Sequence, residues 1–265
     1  MSRVSRNRVR GRAALHGAAR YGATLALAIV LVSGAAAEAQ VPPAISAAVA
    51  DPGRPEADRA RDAARRPADT VAFAGIKPGD KVADLIPGGG YYTRIFAKLV
   101  GPQGKVYAVV PDTPAPRPQQ VEAMQALVRA YPNVVLVNGP LTAFNPPEKL
   151  DVVWTSENYH DFRIPMFGAL DPLAVNKAAF NALKPGGVFY VEDHAAAPGA
   201  GASVVSTLHR VDPATVRQEV TAAGFRLEGQ TDLLANPNDP HTAPVFDPAI
   251  RGKTDKFVMR FRKPR

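Results

Sequence analysis

The chain has 265 residues, no cysteine and a formal net charge of +8. A hydrophobic fraction of 46% is enough for one domain with a substantial core, which excludes a largely disordered chain. The lack of cysteine excludes disulfides, thiolate nucleophiles and zinc–thiolate sites.

The first 39 residues carry much of the positive charge. They hold six arginines and one glutamate, and the other 26 basic and 23 acidic residues sum to only +3. We therefore expect no nucleic-acid partner. After Arg20, an apolar run over 23–32 leads to Ala37-Glu38-Ala39, which is typical of signal-peptide cleavage. The run is shorter than the roughly 20 residues of a spanning helix.

The sequence thus predicts a cleaved signal peptide over 1–39 and an exported, periplasmic protein with no stable membrane insertion after cleavage. An uncleaved anchor and an organellar transit peptide are the alternatives. Residues 40–56 are rich in proline and alanine and are predicted to be a linker. Residues 57–265 are predicted to form one domain.

Strands and helices alternate along that domain. The predicted strands are 81–86, 105–110, 134–137, 150–155, 188–192, 225–230 and 255–261, and most are separated by a helical segment. Strands joined through helices pair in parallel, whereas the last two strands lack a helix between them, which favours an antiparallel edge. The pattern predicts a doubly wound, Rossmann-like α/β fold.

A glycine-rich turn follows the first strand. Gly88, Gly89 and Gly90 stand between that strand and a helix, where a ligand can approach the backbone closely. The dinucleotide fingerprint is incomplete because Thr93 occupies its last glycine position, which disfavours NAD. No phosphate-binding lysine motif is present, which excludes an ATP P-loop.

Several motifs resemble those of class I S-adenosylmethionine-dependent methyltransferases, in particular a predicted exported subgroup. They are the Asp84 strand with its glycine turn, the Lys77–Asp80 lead-in, the Asn133–Gly139 strand and the Leu183–Val191 segment. The resemblance covers roughly 57–263. It implies a seven-stranded sheet, mostly parallel with an antiparallel last strand, and S-adenosylmethionine as cofactor.

The resemblance also implies which residues contact the cofactor. Asp84 is expected near its methionine end, where it either accepts bonds from the ligand's ammonium group or fixes the turn. The candidate cofactor-binding residues are Asp84, Gly88, Gly89, Gly90, Asp112, Asn138, Gly139 and Glu157. Three positions depart from the family pattern. Val110 replaces the acid that ends strand two, Pro140 replaces an acid after strand three, and Pro87 replaces a small residue in the glycine turn.

A cluster of carboxylates and imidazoles follows strands four and five. His160 and Asp161 follow the fourth strand, and Asp193 and His194 end the fifth. Adjacent parallel strands end at the same edge of a sheet, so we expect these groups to share one cleft with the glycine turn. His209 and Arg210 are further candidates for the rim of that cleft.

Two chemistries suit this cluster. His160 or His194 can act as a general base, with Asp161 or Asp193 as the carboxylate that orients it. Alternatively, His160, Asp161, Asp193 and His194 bind a divalent metal. The leading hypothesis is an exported methyltransferase acting on a small molecule. The alternative is a non-catalytic protein that keeps the fold and binds a small molecule or metal.

Overall fold

The computed structural model describes residues 40–112 and 118–265. The predicted signal peptide lies outside the described residues, as does most of the proline-rich loop after the second strand. The strands are β1 (Lys81–Leu85), β2 (Lys105–Val110), β3 (Val134–Asn138), β4 (Leu150–Ser156), β5 (Leu183–His194), β6 (Arg226–Thr231) and β7 (Lys256–Arg262). The α-helices are α1 (Pro43–Val49), α2 (Glu56–Arg59), α3 (Asp62–Arg65), α4 (Pro67–Ala74), α5 (Tyr91–Val100), α6 (Pro118–Ala130), α7 (Pro172–Ala182), α8 (Val205–Leu208) and α9 (Pro213–Ala222).

All seven strands form one sheet in the order β3-β2-β1-β4-β5-β7-β6. β1 to β5 pair in parallel, and β7 runs antiparallel to both β5 and β6. The Rossmann-like fold and the antiparallel last strand are therefore confirmed. Because the strand order reverses between β1 and β4, a ligand site is expected at the carboxyl edge there.

Apolar residues alternate along the strands and build a core on each face of the sheet. Ala83 of β1, Val153 of β4 and Phe189 of β5 belong to the core on one face. Val82 and Trp154 belong to the core on the other face, where Trp154 stacks on Tyr190 with ring centroids 3.6 Å apart. Trp154 is thus a core residue, as its strand position suggests.

The predicted linker over 40–56 is wrong. Residues 43–49 form α1, whose Ile45 and Ala48 are buried in the core that contains α5. Arg54 is also buried and pairs with Asp62 at 2.7 Å. Composition suggested a linker, but the spacing of Ile45 and Ala48 gives the helix an apolar face. The domain therefore begins at Gln40 in the described residues.

One strand boundary differs from the predictions, and the charged stretch over 57–66 is divided between two short helices, α2 and α3. Arg66 ends α3 with φ 43°. β5 begins at Leu183, several residues earlier than expected, because β4 already pairs with it there. Among the described helices, none combines the length and apolar character needed to cross a membrane.

Candidate active site

The turn between β1 and α5 presents bare backbone. A Cβ atom built on Gly88 or Gly89 would meet no atom within 4 Å. Gly90 differs, because its Cβ would lie 2.4 Å from Cδ1 of Leu127 and 2.7 Å from Cε of Met124 in α6. Gly88 and Gly89 therefore leave room for a ligand, whereas Gly90 allows α6 to pack against the turn.

Asp84 lies beneath this turn and is buried. Its Oδ2 accepts a hydrogen bond from Oγ1 of Thr93 at 2.6 Å. Burial raises the pKa of Asp84 to about 7, although the bonds from Thr93 act to lower it. Of the two roles expected for Asp84, this geometry favours the one that fixes the turn.

The second and third strands end with few polar groups. Val110 ends β2 and pairs with Asn138 of β3. The N–H of Gly139 donates to the carbonyl of Val110 at 3.2 Å, and a Cβ on Gly139 would meet open space. Asp112 is exposed two residues after β2. Among the described residues here, Asp112 and Asn138 are the polar side chains available for ribose hydroxyls.

Hydrogen bonds tie the ends of β1, β4 and β5 together. Nδ2 of Asn158 donates to the carbonyl of Ile86 at 3.1 Å, directly before the glycine turn. The N–H of His160 donates to Oδ2 of Asp193 at 2.7 Å. The ends of these three strands therefore lie at one edge of the sheet, and the shared cleft stays a prediction.

His160 lies at the centre of the polar cluster and is buried. Its Nδ1 is 2.8 Å from Oδ1 of Asp193, and its Nε2 is 3.1 Å from Oδ1 of Asp161. Burial acts to lower the pKa of His160, but Asp193 and Asp161 outweigh it and raise that pKa to about 10. These carboxylate partners favour the protonated form of His160, which argues against its role as a general base.

His194 lies apart from this cluster. Its Nδ1 is bonded to Oγ1 of Thr254 at 2.8 Å. Burial lowers the pKa of His194 to about 4, although Glu157 and Asp193 act to raise it. His194 is therefore neutral near pH 7, in the protonation state that a base requires.

The predicted metal-ligand set needs correction. The donor atoms that converge, all within 4.8 Å of one another, belong to His160, Asp161 and His209. The carboxylate of Asp193 instead accepts bonds from His160 and from the N–H of His194, at 2.8 Å for the latter. The ring of His194 is turned to Thr254. Sequence reasoning placed His209 only at the rim, and its position after α8 gave no stronger signal.

Arg210 fixes the backbone beside His209. Both Arg210 and Asp239 have fully buried side chains, and their ion pair is 2.8 Å long. Nη1 of Arg210 also donates to the carbonyl of Ala195 at 3.0 Å, just after β5. The long loop between β6 and β7 is thus anchored to the edge of the sheet that carries the polar cluster.

A second charged group lies beside the start of α5. Arg65 pairs with Glu157 and lies over the rings of Tyr91 and Tyr92, 4.9 and 5.7 Å from their centroids. Glu157 also pairs with Lys256 at 3.3 Å. Burial acts to raise the pKa of Glu157, but Arg65 and Lys256 lower it to about 2. The predicted cofactor contact Glu157 is thus already engaged by two cations.

Three of the six described non-glycine residues with positive φ lie at the same edge. Ile86, Glu157 and His209 have φ values of 55°, 56° and 53°. Non-glycine residues rarely adopt this conformation, and it is least favourable for a β-branched residue such as isoleucine. Strained residues of this kind cluster at functional sites, so the observation supports a functional site here.

Comparison with known proteins supports the fold. A solved S-adenosylmethionine-dependent methyltransferase from Aquifex aeolicus is 18% identical, with a TM-score of 0.54 over 74% of this chain and 88% of that one. A Burkholderia thailandensis 1,6-didemethyltoxoflavin-N1-methyltransferase, solved with 1,6-didemethyltoxoflavin and S-adenosylhomocysteine, is 17% identical. Its TM-score is 0.51 over 79% of each chain. The chain therefore has the fold of class I S-adenosylmethionine-dependent methyltransferases.

The sequence comparisons are narrower. A protein-L-isoaspartate O-methyltransferase from Ignicoccus hospitalis is 32% identical over 79 residues, which cover 29% of this chain. The match spans 35%, or about a third, of that curated relative's length. No family model matches the chain.

Proposed function

We propose that this protein is an exported S-adenosylmethionine-dependent methyltransferase that acts on a small molecule. One observation carries the proposal: the open turn at Gly88 and Gly89 is joined through Asn158 to the cluster around His160. This arrangement supports a cofactor surface at the glycine turn next to an acceptor surface at the polar cluster.

The residues at the turn fit the cofactor. Gly88 and Gly89 offer open space and backbone to a ligand. The family pattern has an acid where this chain has Val110. Asp112, just after β2, and Asn138, at the end of β3, offer an acid and an amide in its place. When bound, S-adenosylmethionine supplies an electrophilic methyl group.

The protein's own groups position the acceptor and receive its proton. His160 and Asp161 provide a charged, buried surface for an acceptor with polar atoms. His194 is the neutral imidazole available to take a proton from that acceptor. Holding two reactants in the correct geometry itself supplies a large part of the rate acceleration in group transfer.

Export belongs to the same proposal and rests on the N-terminal sequence. The basic region, the apolar run and Ala37-Glu38-Ala39 support cleavage before Gln40. The test is the N-terminal sequence of the protein recovered from the extracytoplasmic fraction of its host. We expect it to begin at Gln40, and an intact Met1 found only in the cytoplasm would contradict export.

Calorimetry tests cofactor binding. We expect the full chain to bind S-adenosylmethionine and S-adenosylhomocysteine, and Gly89→Ala to weaken both at least tenfold by placing a methyl group in the open space. Gly53→Ala is the matched control, because Gly53 is exposed and its added Cβ would make only ordinary contacts. Absence of heat at millimolar ligand, or equal binding by both variants, would overturn the proposal.

The second candidate is a binding protein that keeps the fold without methyl transfer. Val110 at the end of β2 favours it, because an apolar residue cannot bond both ribose hydroxyls. Binding of a metal or small molecule with no heat from S-adenosylmethionine would favour this alternative.

A further inference from the structure

We propose that His160 Nε2, Asp161 Oδ1 and His209 Nδ1 form a binding site for a divalent first-row transition-metal ion. The inference concerns metal binding and does not depend on methyl transfer. It differs from the set expected from sequence, because it includes His209 and omits Asp193 and His194 as direct ligands.

The distances between the donor atoms suit a single ion. His160 Nε2 lies 3.1 Å from Asp161 Oδ1 and 3.3 Å from His209 Nδ1, and the last two atoms are 3.7 Å apart. Two ligands bound at about 2.0–2.1 Å lie about 2.8–3.0 Å apart on an octahedral ion and about 3.3–3.4 Å apart on a tetrahedral one, so the expected range is about 2.8–3.4 Å. Two of the three distances fall in this range, so small side-chain movements would complete the site.

Asp193 holds His160 in the orientation that a metal ligand needs. Its carboxylate faces Nδ1 of His160 at 2.8 Å and accepts the backbone N–H of the same residue at 2.7 Å. A metal ion that binds Nε2 would displace the proton held there. The neutral His160 that remains donates its Nδ1–H to Asp193 and directs its Nε2 lone pair toward Asp161 and His209. Carboxylate–histidine–metal arrangements of this kind fix the tautomer of the ligating imidazole.

The atoms of the cluster lack other partners. Asp161 is 8% exposed, and outside the cluster its Oδ1 has no hydrogen-bond partner among the described residues. Nε2 of His160 and Nδ1 of His209 face each other, and at most one proton can lie between them. Buried polar atoms normally have partners, and a cation among the three would satisfy all of them.

Charge favours a cation at this position. Two carboxylates, Asp161 and Asp193, converge on His160, and the ion pairs that they form among the described residues are with His160 and His209. Nearby arginines are engaged elsewhere, Arg163 with Glu219 and Arg210 with Asp239. A divalent ion would balance the two carboxylates.

The donor types select the class of metal. Imidazole suits zinc, iron, cobalt and nickel, whereas magnesium and calcium prefer sites made of oxygen alone. Three protein ligands leave at least one coordination position for water or an acceptor oxygen, as in catalytic sites. The side chain of His209 is 20% exposed and lies against the exposed Phe246, which gives the site a path to solvent.

Cobalt(II) titration of the full chain, after removal of bound metal with a chelator, tests the proposal. Visible d–d absorption should appear and saturate at one equivalent, and zinc should displace it. His160→Ala, Asp161→Asn and His209→Ala should each weaken cobalt binding by about 100-fold or more. Asp193→Asn should weaken it by about 10- to 100-fold, the usual effect of losing an outer partner.

His194→Ala and His241→Ala are the matched controls. His194 is the neighbouring buried imidazole, and His241 pairs with Asp255 outside the cluster. Both variants should bind cobalt as the unaltered chain does. Because His209 lies at the partly exposed edge of the cluster, His209→Ala is the variant expected to keep its fold, which far-ultraviolet circular dichroism checks.

Three results would overturn the proposal: no saturable cobalt band, undiminished binding in folded His209→Ala, or loss of binding in folded His194→Ala. A failure of the proposed function would be seen separately. The protein would then bind cobalt but give no binding heat with S-adenosylmethionine.

Discussion

Asp84 is a buried carboxyl group whose ionisation opposes folding. Its folded-state pKa of about 7 lies above the roughly 3.9 of an unfolded aspartate. The folded state therefore binds more protons between these pH values, and the free energy of unfolding falls as pH rises through that window. Below about pH 4 both states are protonated and the penalty disappears.

Asp84→Asn removes this penalty while retaining an oxygen that can accept a bond from Thr93. We expect the variant to be more stable than the unaltered chain, and this stability difference to grow by a few kcal/mol from pH 5 to pH 8. Urea unfolding at both pH values measures the difference. Glu122→Gln, at an exposed position, is the control and should show no such growth of the stability difference with pH. An equal effect of Asp84→Asn at both pH values would contradict the account.

Gly89 and Gly90 are adjacent but should differ in their effect on stability. Gly90→Ala places a methyl group against Leu127 and Met124 at positive φ, so we expect a loss of roughly 1–3 kcal/mol from overpacking. Gly89→Ala meets open space and should change stability by less than about 0.5 kcal/mol. Thermal or urea unfolding of the pair measures this, and equal losses would show that both glycines serve packing.

At the residue scale, the sequence predicted part of the cluster. His160 and Asp161 were expected from their place after β4, and the structure brings their side chains together. The orientation of His194 could not be predicted, because its partner Thr254 lies 60 positions further along the chain. The position of the His209 side chain depends on the left-handed conformation of His209 itself, directly after α8, and on the burial of Arg210. Local sequence patterns reveal neither.

At the element scale, α1 is the clearest departure from the sequence interpretation. Ile45 is 2% exposed, so Ile45→Ala should lower the free energy of unfolding by about 2–5 kcal/mol. Ser46→Ala, on the exposed face of the same helix, should have little effect. Urea unfolding compares the two, and a negligible effect of Ile45→Ala would restore the interpretation of residues 40–56 as a linker.

The reason for this departure is physical. Proline and alanine are common in linkers, but proline also starts helices and alanine favours their interior. A helix as short as α1 is stable only through tertiary packing, and its partner α5 lies about 50 residues away in sequence. Elements such as β1, β4 and α5 were predicted because their apolar pattern is local.

At the scale of the whole molecule, the topology was predictable. Alternating strands and helices impose parallel pairing and right-handed crossovers, so the shared edge of β1, β4 and β5 was expected from the order of the elements. The pairing of Glu157 with Arg65 and Lys256 was not, because it joins residues 92 and 99 positions apart. Long-range ion pairs leave no periodic signal in the sequence.

The central claim is that the carboxyl edge of β1, β4 and β5 is the cofactor site. A crystal structure of the full chain with S-adenosylhomocysteine tests it most directly. We predict density against Gly88 and Gly89, close to Asn158. Density at the opposite edge of the sheet, in the shallow cavity lined by Asp80, Asp151 and Lys184, or a glycine turn without ligand at saturating concentration, would contradict the claim.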